Sequence, residues 1–548
     1  MIHLLETRRI FILILVSGLF LVGARNVSDP DLWWHLKTGQ YIIAHKTVPH
    51  TDAFSYTRGG QPWVAHEWLS QLFLYGLYRT GGWAGLILVS AAITAATFFL
   101  LYLRCAETPY VAGFVTVWGA IAGAPSWGPR PQTLTWLLVS LWLLILDRSK
   151  SKCLLLWWTL PLMLLWVNLH ASYALGLVIL ALFIAAELVE VWFGLVAVQQ
   201  ARPHLQALAL TFLFNLTLVP LNPNGVRLYS YPIETLRSRA MQNYIVEWFS
   251  PNLHSAEFWP FLLLLLGTIA ALAWIPRALR VHNILLLLLS AYAALFSMRM
   301  IPFFVLIAVP ILSRQLHYSS VLSKPGNPEF EPAGSATKAP KTGFSPKLLL
   351  NTVIAAAMMV FVCLRVVRVL EQQPLVEQAH FPAGAVEFLK MHPSDGRVFN
   401  HYDWGGYLIW KLHPEARVFI DGRADLYGEH LLKQFADTFQ LKGDWKQTLN
   451  QWHVKTVVVP ANSALAEALR RDPGWTISYE DRQATIFTDT GRVFMSLSAT
   501  SGQELAPARP PMGLQSGPLQ PPGGMQEITP IGQFAGYYGL SFWLITRS

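Results

Sequence analysis

Charge is scarce in this sequence: only 13% of its 548 residues are Asp, Glu, Lys or Arg, whereas 53% are hydrophobic. Soluble domains carry about 25% charged residues. The chain therefore has too little charge to cover several water-exposed domains, which excludes a soluble enzyme and leaves lipid as the solvent. The 22 tryptophans agree with this conclusion, because Trp concentrates at membrane–water interfaces.

Cysteine is also scarce. Cys105, Cys153 and Cys363 lie far apart, at the edges of apolar segments. This spacing predicts neither a disulfide framework nor a zinc site. The formal net charge of +9 is explained by cytoplasmic loops rich in Lys and Arg, so we expect no nucleic-acid partner.

Apolar runs predict a polytopic α-helical membrane protein with about eleven transmembrane helices, since one span needs about 20 apolar residues. The first run covers residues 10–23, and we interpret it as an uncleaved signal-anchor in preference to a cleaved signal peptide. Further spans are predicted near residues 82–103, 109–124, 132–146, 154–167, 173–193, 205–221, 258–274, 283–296, 301–312 and 348–363.

The distribution of Lys and Arg predicts the orientation of these spans. Arg104, Arg148, Arg202 and Arg277 all fall on one side if the N-terminus is cytoplasmic, which is the positive-inside pattern. An odd number of spans then places the C-terminal segment outside. We expect a multi-pass protein of the cytoplasmic (inner) membrane.

The chain divides into three parts. Residues 1–370 form the transmembrane domain, with external loops at 25–67 and 222–257 and a Pro-, Gly- and Lys-containing cytoplasmic linker at 317–347. Residues 371–495 alternate strand-like and helix-like segments, which predicts an extracytoplasmic α/β domain. Residues 496–548 are rich in Pro, Gly and Gln, and we expect a largely disordered tail.

The first external loop opens with two carboxylates, in Asp29-Pro30-Asp31. Two carboxylates two residues apart can accept a proton or bind a divalent cation. Alternatively, Asp31 is the N-cap of a helix that begins near Leu32. His66 and Glu67 close the loop at the head of an apolar helix, where they either hold an anion or metal or only cap the interface.

Arginines on the outer side are the second unusual feature. Arg130 and Arg299 each lie between two spans, where the charge rule does not ask for cations. Guanidinium groups pair with phosphate oxygens, so these two are candidates for binding a lipid-linked phosphate, unless they only reach toward lipid headgroups. Asn168 and His170 lie at another outer turn, where they either hydrogen-bond a sugar or are structural.

These features in this order resemble the GT-C class of membrane glycosyltransferases, whose donors are sugars on polyprenyl or dolichyl phosphate. Asp29-Pro30-Asp31, Gly60-Gln61-Pro62-Trp63 and His66-Glu67 match the family's external-loop pattern. The resemblance implies a GT-C-like fold, membrane lipid and a polyprenyl-phosphate-linked sugar as partners, and an extracytoplasmic glycan, lipid or protein as acceptor. It implies catalytic roles for Asp29 and Asp31, and donor-phosphate binding by Arg299, Arg130 and His66.

The C-terminal domain carries a second match. Tyr402-Asp403-Trp404-Gly405-Gly406 is similar to a Trp-Trp-Asp-Tyr-Gly motif of oligosaccharyltransferases, where it helps to bind the acceptor. The resemblance therefore implies acceptor or sugar contacts for Tyr402, Asp403 and Trp404, together with Glu67, Asn168 and His170, although Asp403 is also a candidate helix cap. If the chain follows oligosaccharyltransferases, Asp29 and Asp31 bind Mg²⁺ or Mn²⁺; if it follows mannosyl or aminoarabinose transferases, no metal is required.

The sequence therefore favours transfer of a sugar from a polyprenyl-(di)phosphate donor at the outer membrane face. The alternatives are a non-catalytic scaffold that binds glycans or lipid intermediates, and a transporter or flippase. Transporters tend to carry internal repeats and broken helices at mid-membrane, and the sequence has no visible repeat. Whether Asp31 and Arg299 face one shared outer cavity distinguishes an enzyme from a scaffold, because an enzyme needs both residues in one site and a scaffold does not.

Overall fold

The computed structural model describes residues 7–105, 108–275, 279–322, 346–393 and 396–491. Most of the predicted linker and the predicted tail lie outside these residues. The helices up to residue 380 are α1 (Thr7–Gly23), α2 (Asp31–His45), α3 (Trp68–Arg104), α4 (Pro109–Ala122), α5 (Pro131–Ser149), α6 (Thr159–Leu169), α7 (Tyr173–Trp192), α8 (Val198–Leu218), α9 (Tyr231–Arg237), α10 (Arg239–Tyr244), α11 (Trp259–Trp274), α12 (Val281–Phe296), α13 (Ile301–Leu322) and α14 (Pro346–His380).

Each apolar run that predicted a span forms a helix. Five helices are long and apolar enough to cross a membrane by length and composition: Trp68–Arg104, Tyr173–Trp192, Ala256–Trp274, Met298–Ser319 and Leu349–His380. Other apolar helices have only 10–17 residues, such as Val281–Phe296. The chain is thus a helical membrane protein, and the count of about eleven crossings stays a prediction.

Two helices differ from their predicted bounds for local reasons. α3 begins well before the predicted span at residue 82 and bends at Gly82, whose φ of 55° suits a residue without a Cβ. α14 continues past the predicted domain boundary at residue 370 to His380. Its apolar run ends near Cys363, but the polar residues that follow are good helix formers.

The bundle is built around α13. Phe303, Phe304 and Val305 are fully buried in it, and 78% of its apolar window is inside the protein. α14 lies at the periphery, with only 6% of its window buried. Within α14, the Val369 carbonyl accepts the Asn26 amide at 2.7 Å, and the Gln373 side-chain oxygen accepts the Val27 N–H at 2.8 Å. These contacts attach its C-terminal half to the segment after α1.

The C-terminal domain is α/β, as predicted. We call it the external domain and keep the name external loops, after the side of the membrane that the sequence predicts for them, which stays a prediction. Three strands run parallel in the order β2-β1-β3, and β5 and β4 continue the sheet antiparallel. Its elements are α15 (Ala383–Met391), β1 (Arg397–Asn400), α16 (Gly405–Leu412), β2 (Arg417–Val418), α17 (Ala424–Phe439), α18 (Trp445–Gln451), β3 (Thr456–Pro460), α19 (Ala464–Arg470), β4 (Trp475–Glu480) and β5 (Ala484–Asp489).

This domain packs directly on the first external loop. One apolar cluster joins buried side chains of α2, including Trp33, to α16 and the start of α15. The ring of Trp33 meets Tyr407 at 4.8 Å and Phe381 at 5.3 Å, both edge to face. The domain therefore packs on the residues that directly follow Asp29 and Asp31, which we call the acid pair.

Candidate functional site

The acid pair forms the start of α2. The Asp29 carboxylate accepts the Asp31 backbone N–H at 2.8 Å, while the Asp31 carboxylate accepts the Trp34 indole N–H at 3.1 Å. The helix begins at Asp31 itself, after Pro30. Pro30 therefore occupies the N-cap position, and the alternative that Asp31 is the N-cap is wrong. The second carboxylate oxygen of Asp31, Oδ2, faces Arg130.

Arg130 lies at the centre of the acidic residues. Its Nε is 2.5 Å from Asp29 Oδ2, its Nη2 is 3.4 Å from Asp31 Oδ2, and its Nη1 pairs with Glu247. Arg130 immediately precedes α5, and Glu247 belongs to the loop at 222–257. Three segments far apart in sequence thus meet at one guanidinium, and we call Asp29, Asp31, Arg130 and Glu247 the acid cluster.

Arg299 borders the acid cluster. Its guanidinium is 3.8 Å from Glu247 Oε2 and lies 5.8 Å from the centre of the Trp248 ring. The Arg299 side chain is 30% exposed, whereas that of Arg130 is 14% exposed. Asp31 and Arg299 therefore belong to one ionic network, and Arg299 is the arginine that remains accessible.

Burial and mutual charges shift the pKa values of the carboxyl groups in the acid cluster. Burial and the neighbouring Asp29 charge raise the pKa of Asp31 to about 8, against the effect of Arg130. Burial also raises the pKa of Asp29. Although burial opposes it, Arg130 lowers the pKa of Glu247. At neutral pH the cluster therefore holds a carboxyl group that can both accept and release a proton.

The external domain contributes Asp403. Burial, and then the Asp29 charge, raise its pKa to about 7. The helix after it begins at Gly405 without a side-chain capping hydrogen bond, so the prediction that Asp403 caps this helix is wrong. Tyr402 and Trp404 are buried, and the Trp404 indole donates to the His380 carbonyl at 3.1 Å. Two members of this motif thus lie near the acid cluster, because the Asp29 charge acts on Asp403 and the Asp31 charge acts on Tyr402.

The domain is held to the first loop by a buried guanidinium. Arg423 Nη1 is 2.8 Å from Asp52 Oδ1, and its Nη2 is 2.7 Å from Asp421 Oδ2. All three side chains are at most 1% exposed. Between Asp421 and Arg423, the Gly422 backbone approaches the Asp31 carboxylate so closely that a Cβ would overlap Oδ1.

His66 and Glu67 belong to a second buried cluster. His66 Nε2 is 3.0 Å from Glu67 Oε1 and His170 Nε2 is 3.5 Å from the same oxygen. His35 Nδ1 is 3.6 Å from Glu67 Oε2. The other His66 nitrogen lies 3.1 Å from the Val64 carbonyl oxygen. Both nitrogens of His66 therefore have protein partners, and its predicted phosphate-binding role stays a prediction.

This cluster sets the charge of its members. Although burial opposes both shifts, the pairing of His66 with Glu67 raises the pKa of the imidazole and lowers that of the carboxyl group. Burial lowers the pKa of His35 to about 4 and that of His170 to about 3. The cluster thus favours the charged forms of His66 and Glu67 and the neutral forms of His35 and His170.

Asn168 has a structural environment. Its amide donates to the carbonyls of Leu164 and Leu221 at 2.9 and 3.0 Å, and its oxygen accepts the Trp68 indole at 2.8 Å. Both donors and the acceptor are used, which ties α6 to α3. A sugar contact by Asn168 stays a prediction.

A polar cavity of about 140 Å³ lies between the two external loops and the external domain. Trp63, Arg227, Tyr231, Glu234 and Asp425 contribute to its lining. The Tyr231 hydroxyl donates to Asp425 Oδ2 at 3.0 Å, and the Tyr231 ring lies 4.6 Å from that of His66. The cavity therefore adjoins the cluster around Glu67.

The acid pair does not provide a metal site in its present arrangement. Among the described residues, no group of three or more His, Cys, Asp or Glu side chains could hold a metal ion. The carboxylates that would serve as ligands instead face the guanidinium of Arg130. The predicted Mg²⁺ or Mn²⁺ ligation by Asp29 and Asp31 does not fit these residues.

Several site residues were not predicted. Glu247 is the most important, and its signal was its position: it is a carboxylate in an external loop of a chain with little charge. Asp52 lies in the first external loop and Arg423 lies shortly after β2, and neither position by itself indicates a role. They are 371 residues apart, so no local pattern connects them.

No known family profile and no curated protein matches the sequence. Two solved structures of the Archaeoglobus fulgidus oligosaccharyltransferase have the same fold at a TM-score of 0.50. AglB in complex with an inhibitory peptide and a dolichol-phosphate is 10% identical, with 87% of this chain and 74% of that chain covered. The enzyme tethered to an acceptor peptide containing the NVT sequon is 11% identical, with 89% and 75% covered.

ArnT from Cupriavidus metallidurans bound to undecaprenyl phosphate matches at a TM-score of 0.46 and 12% identity, with 87% of this chain and 97% of that chain covered. At identities this low, only the fold is established, and it is carried by the oligosaccharyltransferase matches. The chain therefore has a GT-C-like fold.

Proposed function

We propose that the chain is a membrane glycosyltransferase that moves a sugar from a polyprenyl-(di)phosphate donor to an acceptor at the outer membrane face. One observation carries the proposal: Asp29 and Asp31 meet Arg130, Glu247 and Arg299 in a single ionic network. The fold supports it, because AglB of the same fold was solved with a dolichol-phosphate and an inhibitory peptide.

The donor phosphate is assigned to Arg299. Charge develops on the leaving phosphate as the glycosidic bond breaks, so a cation must be in place before the reaction. Arg130 is already paired with three carboxylates. Arg299 has one carboxylate at the longer distance of 3.8 Å and a partly exposed side chain, which leaves it able to meet a phosphate.

We assign the acceptor to a position next to the carboxyl groups of Asp31 and Asp403. A nucleophilic hydroxyl or amide needs a group that takes its proton. Asp31 and Asp403 have pKa values raised to about 8 and about 7, near the pH at which a general base works best. The neighbouring polar cavity lined by Trp63, Glu234 and Asp425 supports an acceptor rich in hydroxyl groups.

The orientation follows from the same proposal. The acid cluster contacts the external domain, and Arg104, Arg148 and Arg202 lie in loops that the positive-inside rule assigns to the cytoplasm. We propose the cytoplasmic membrane as the location, with about eleven crossings, a cytoplasmic N-terminus and an extracytoplasmic C-terminal domain. A donor presented at the outer leaflet then reaches the site directly.

The test uses a deletion strain that carries the wild-type chain, Asp29→Asn or Asp31→Asn. Mass spectrometry of envelope glycans identifies the glycan that the deletion removes. We expect the wild type to restore it and at least one variant to fail, although both proteins insert normally. Glu415→Gln, which removes an exposed external carboxylate, is the matched control. Restoration by both Asp variants would overturn the proposal in favour of a non-catalytic scaffold.

A further inference from the structure

The guanidinium of Arg130 is surrounded by three carboxylates. Nε faces Asp29 at 2.5 Å, Nη2 faces Asp31 at 3.4 Å and Nη1 pairs with Glu247. Each nitrogen therefore has its own carboxylate. The side chains of Arg130 and Asp29 are only 14% and 13% exposed, so water offers Asp29 little compensation.

A hard divalent cation would need the same oxygen atoms. Mg²⁺ and Mn²⁺ take carboxylate and water oxygens as ligands, and one or two carboxylates are usually needed to hold them in a protein. In this chain those oxygens already face a permanent positive charge that Arg cannot lose at physiological pH. A guanidinium and a metal ion in the same place would repel each other, so the two are alternatives.

The charges of the network support the guanidinium. Even when all three carboxyl groups are ionised, Asp29, Asp31 and Glu247 bring only three negative charges, while Arg130 and Arg299 bring two positive charges. A bound dication would make the network positive overall, before any donor phosphate arrives. With Arg130 alone the acid pair is nearly balanced, and Arg299 remains for the donor.

We infer that Arg130 is the resident cation of the acid pair and stands where a divalent metal ion would otherwise bind. Transfer then proceeds without Mg²⁺ or Mn²⁺. In this inference Arg130 orients Asp29 and Asp31, which is a different role from the donor-phosphate binding that the sequence predicted for it. The consequence for transfer depends on the proposed function, whereas the absence of metal binding is measurable whatever the reaction is.

The experiment measures Mn²⁺ binding to the full-length protein in detergent, by the loss of the free Mn²⁺ electron paramagnetic resonance signal. The wild type, stripped with EDTA, should show no saturable binding. Arg130→Met leaves three carboxylates without their cation and should bind Mn²⁺ saturably, at least about tenfold more tightly than any residual binding by the wild type. Arg130→Lys retains a positive charge and should resemble the wild type.

Arg299→Met is the matched control, because it removes a cation beside Glu247 but leaves the acid pair with its guanidinium. If Arg130→Met does not fold, Arg130→Met/Glu247→Gln replaces it, with one negative charge removed as well. Saturable wild-type binding that Asp31→Asn abolishes would overturn the inference. So would an Arg130→Met protein, or its Glu247→Gln double variant, that folds and gains no Mn²⁺ affinity.

A second arm separates this inference from the proposed function. Transfer in membranes that contain the strain's own lipid-linked sugars should survive EDTA. Loss of transfer with EDTA, restored by Mn²⁺, would refute the inference and leave the glycosyltransferase proposal intact. A chain that transfers nothing, yet shows the expected Mn²⁺ behaviour, would refute only the proposed function.

Discussion

Gly422 of the external domain lies against the carboxylate of Asp31, with no room for a Cβ between the two residues. Gly406 approaches the same segment, since its Cβ would be 2.7 Å from the Pro30 carbonyl oxygen. The backbone of the external domain therefore contacts the acid pair on one side and limits the positions that the Asp31 side chain can adopt. Its contribution to the site is made by backbone as well as by side chains.

Gly422→Ala should displace Asp31 and reduce transfer. An added methyl group in a packed contact costs about 1–3 kcal/mol, and a shift of about 1 Å in a reacting group can cost about 100-fold in rate. We expect a rate loss of that order with a moderate loss of stability. Transfer in membranes and thermal unfolding in detergent measure the two effects.

Gly128→Ala provides the comparison for this variant. Gly128 lies two residues before Arg130, and its Cβ would meet no atom within 4 Å. It should therefore leave both transfer and unfolding unchanged. Equal rates for Gly422→Ala and wild type would show that the position of Asp31 does not depend on this contact.

Arg423→Met should loosen the external domain from the first loop. It leaves Asp52 and Asp421 buried without a cation, and breaking a buried ion pair from one side costs about 3–5 kcal/mol. We expect a lower unfolding temperature and faster proteolysis between α14 and α15. Arg482→Met, at an exposed position, should behave like the wild type.

A triple variant tests the physical cause of that loss. Arg423→Met/Asp52→Asn/Asp421→Asn removes the uncompensated charges together with the arginine. Buried ion networks replaced as a whole are tolerated better than those broken from one side. The triple variant should therefore unfold at a higher temperature than Arg423→Met alone. A triple variant that unfolds lower still would assign the stabilisation to packing instead of charge.

Local patterns predicted much of this fold. Each apolar run marked a helix, and strand–helix alternation identified the α/β domain. Asp29 and Arg130 were predicted separately, and the fold brings them together. What could not be predicted are contacts such as Arg423 with Asp52 or Arg130 with Glu247, because hydropathy and motif spacing describe neighbours in sequence and carry no information on which distant charges pair.

The pH dependence of transfer should follow the titration of the Asp31 carboxyl group. Burial and the charges of Asp29 and Glu247 raise its pKa to about 8, so its carboxylate form increases as the pH rises through that value. If Asp31 acts as a base, the rate rises over the same interval. Glu247→Gln removes one charge that raises this pKa and should move the rising limb to lower pH.

Glu257→Gln removes the same charge from the same external loop, at a residue that does not contribute to the Asp31 pKa. Its profile should match that of the wild type. A rising limb that stays in place in Glu247→Gln, or moves to higher pH, would contradict the assignment of Asp31 as the titrating base.

The cluster around Glu67 should stabilise the protein in a defined pH window. The pKa of Glu67 is lowered from 4.5, so its contribution is present above pH 4.5 and is lost as the pH falls further. The pKa of His66 is raised from 6.5, so its contribution is complete below pH 6.5 and is lost as the pH rises through the folded-state value. Both contributions are complete only between those two limits.

Glu67→Gln should therefore destabilise the protein most between pH 4.5 and 6.5, by about 3–5 kcal/mol, because it leaves buried His66 without its partner. The difference from wild type should shrink on both sides of that window. Thermal unfolding across the pH range measures it, with Glu415→Gln as the exposed control. A penalty that is constant with pH would mean that Glu67 acts through packing and neutral hydrogen bonds, since only an ionised pair makes the penalty depend on protonation.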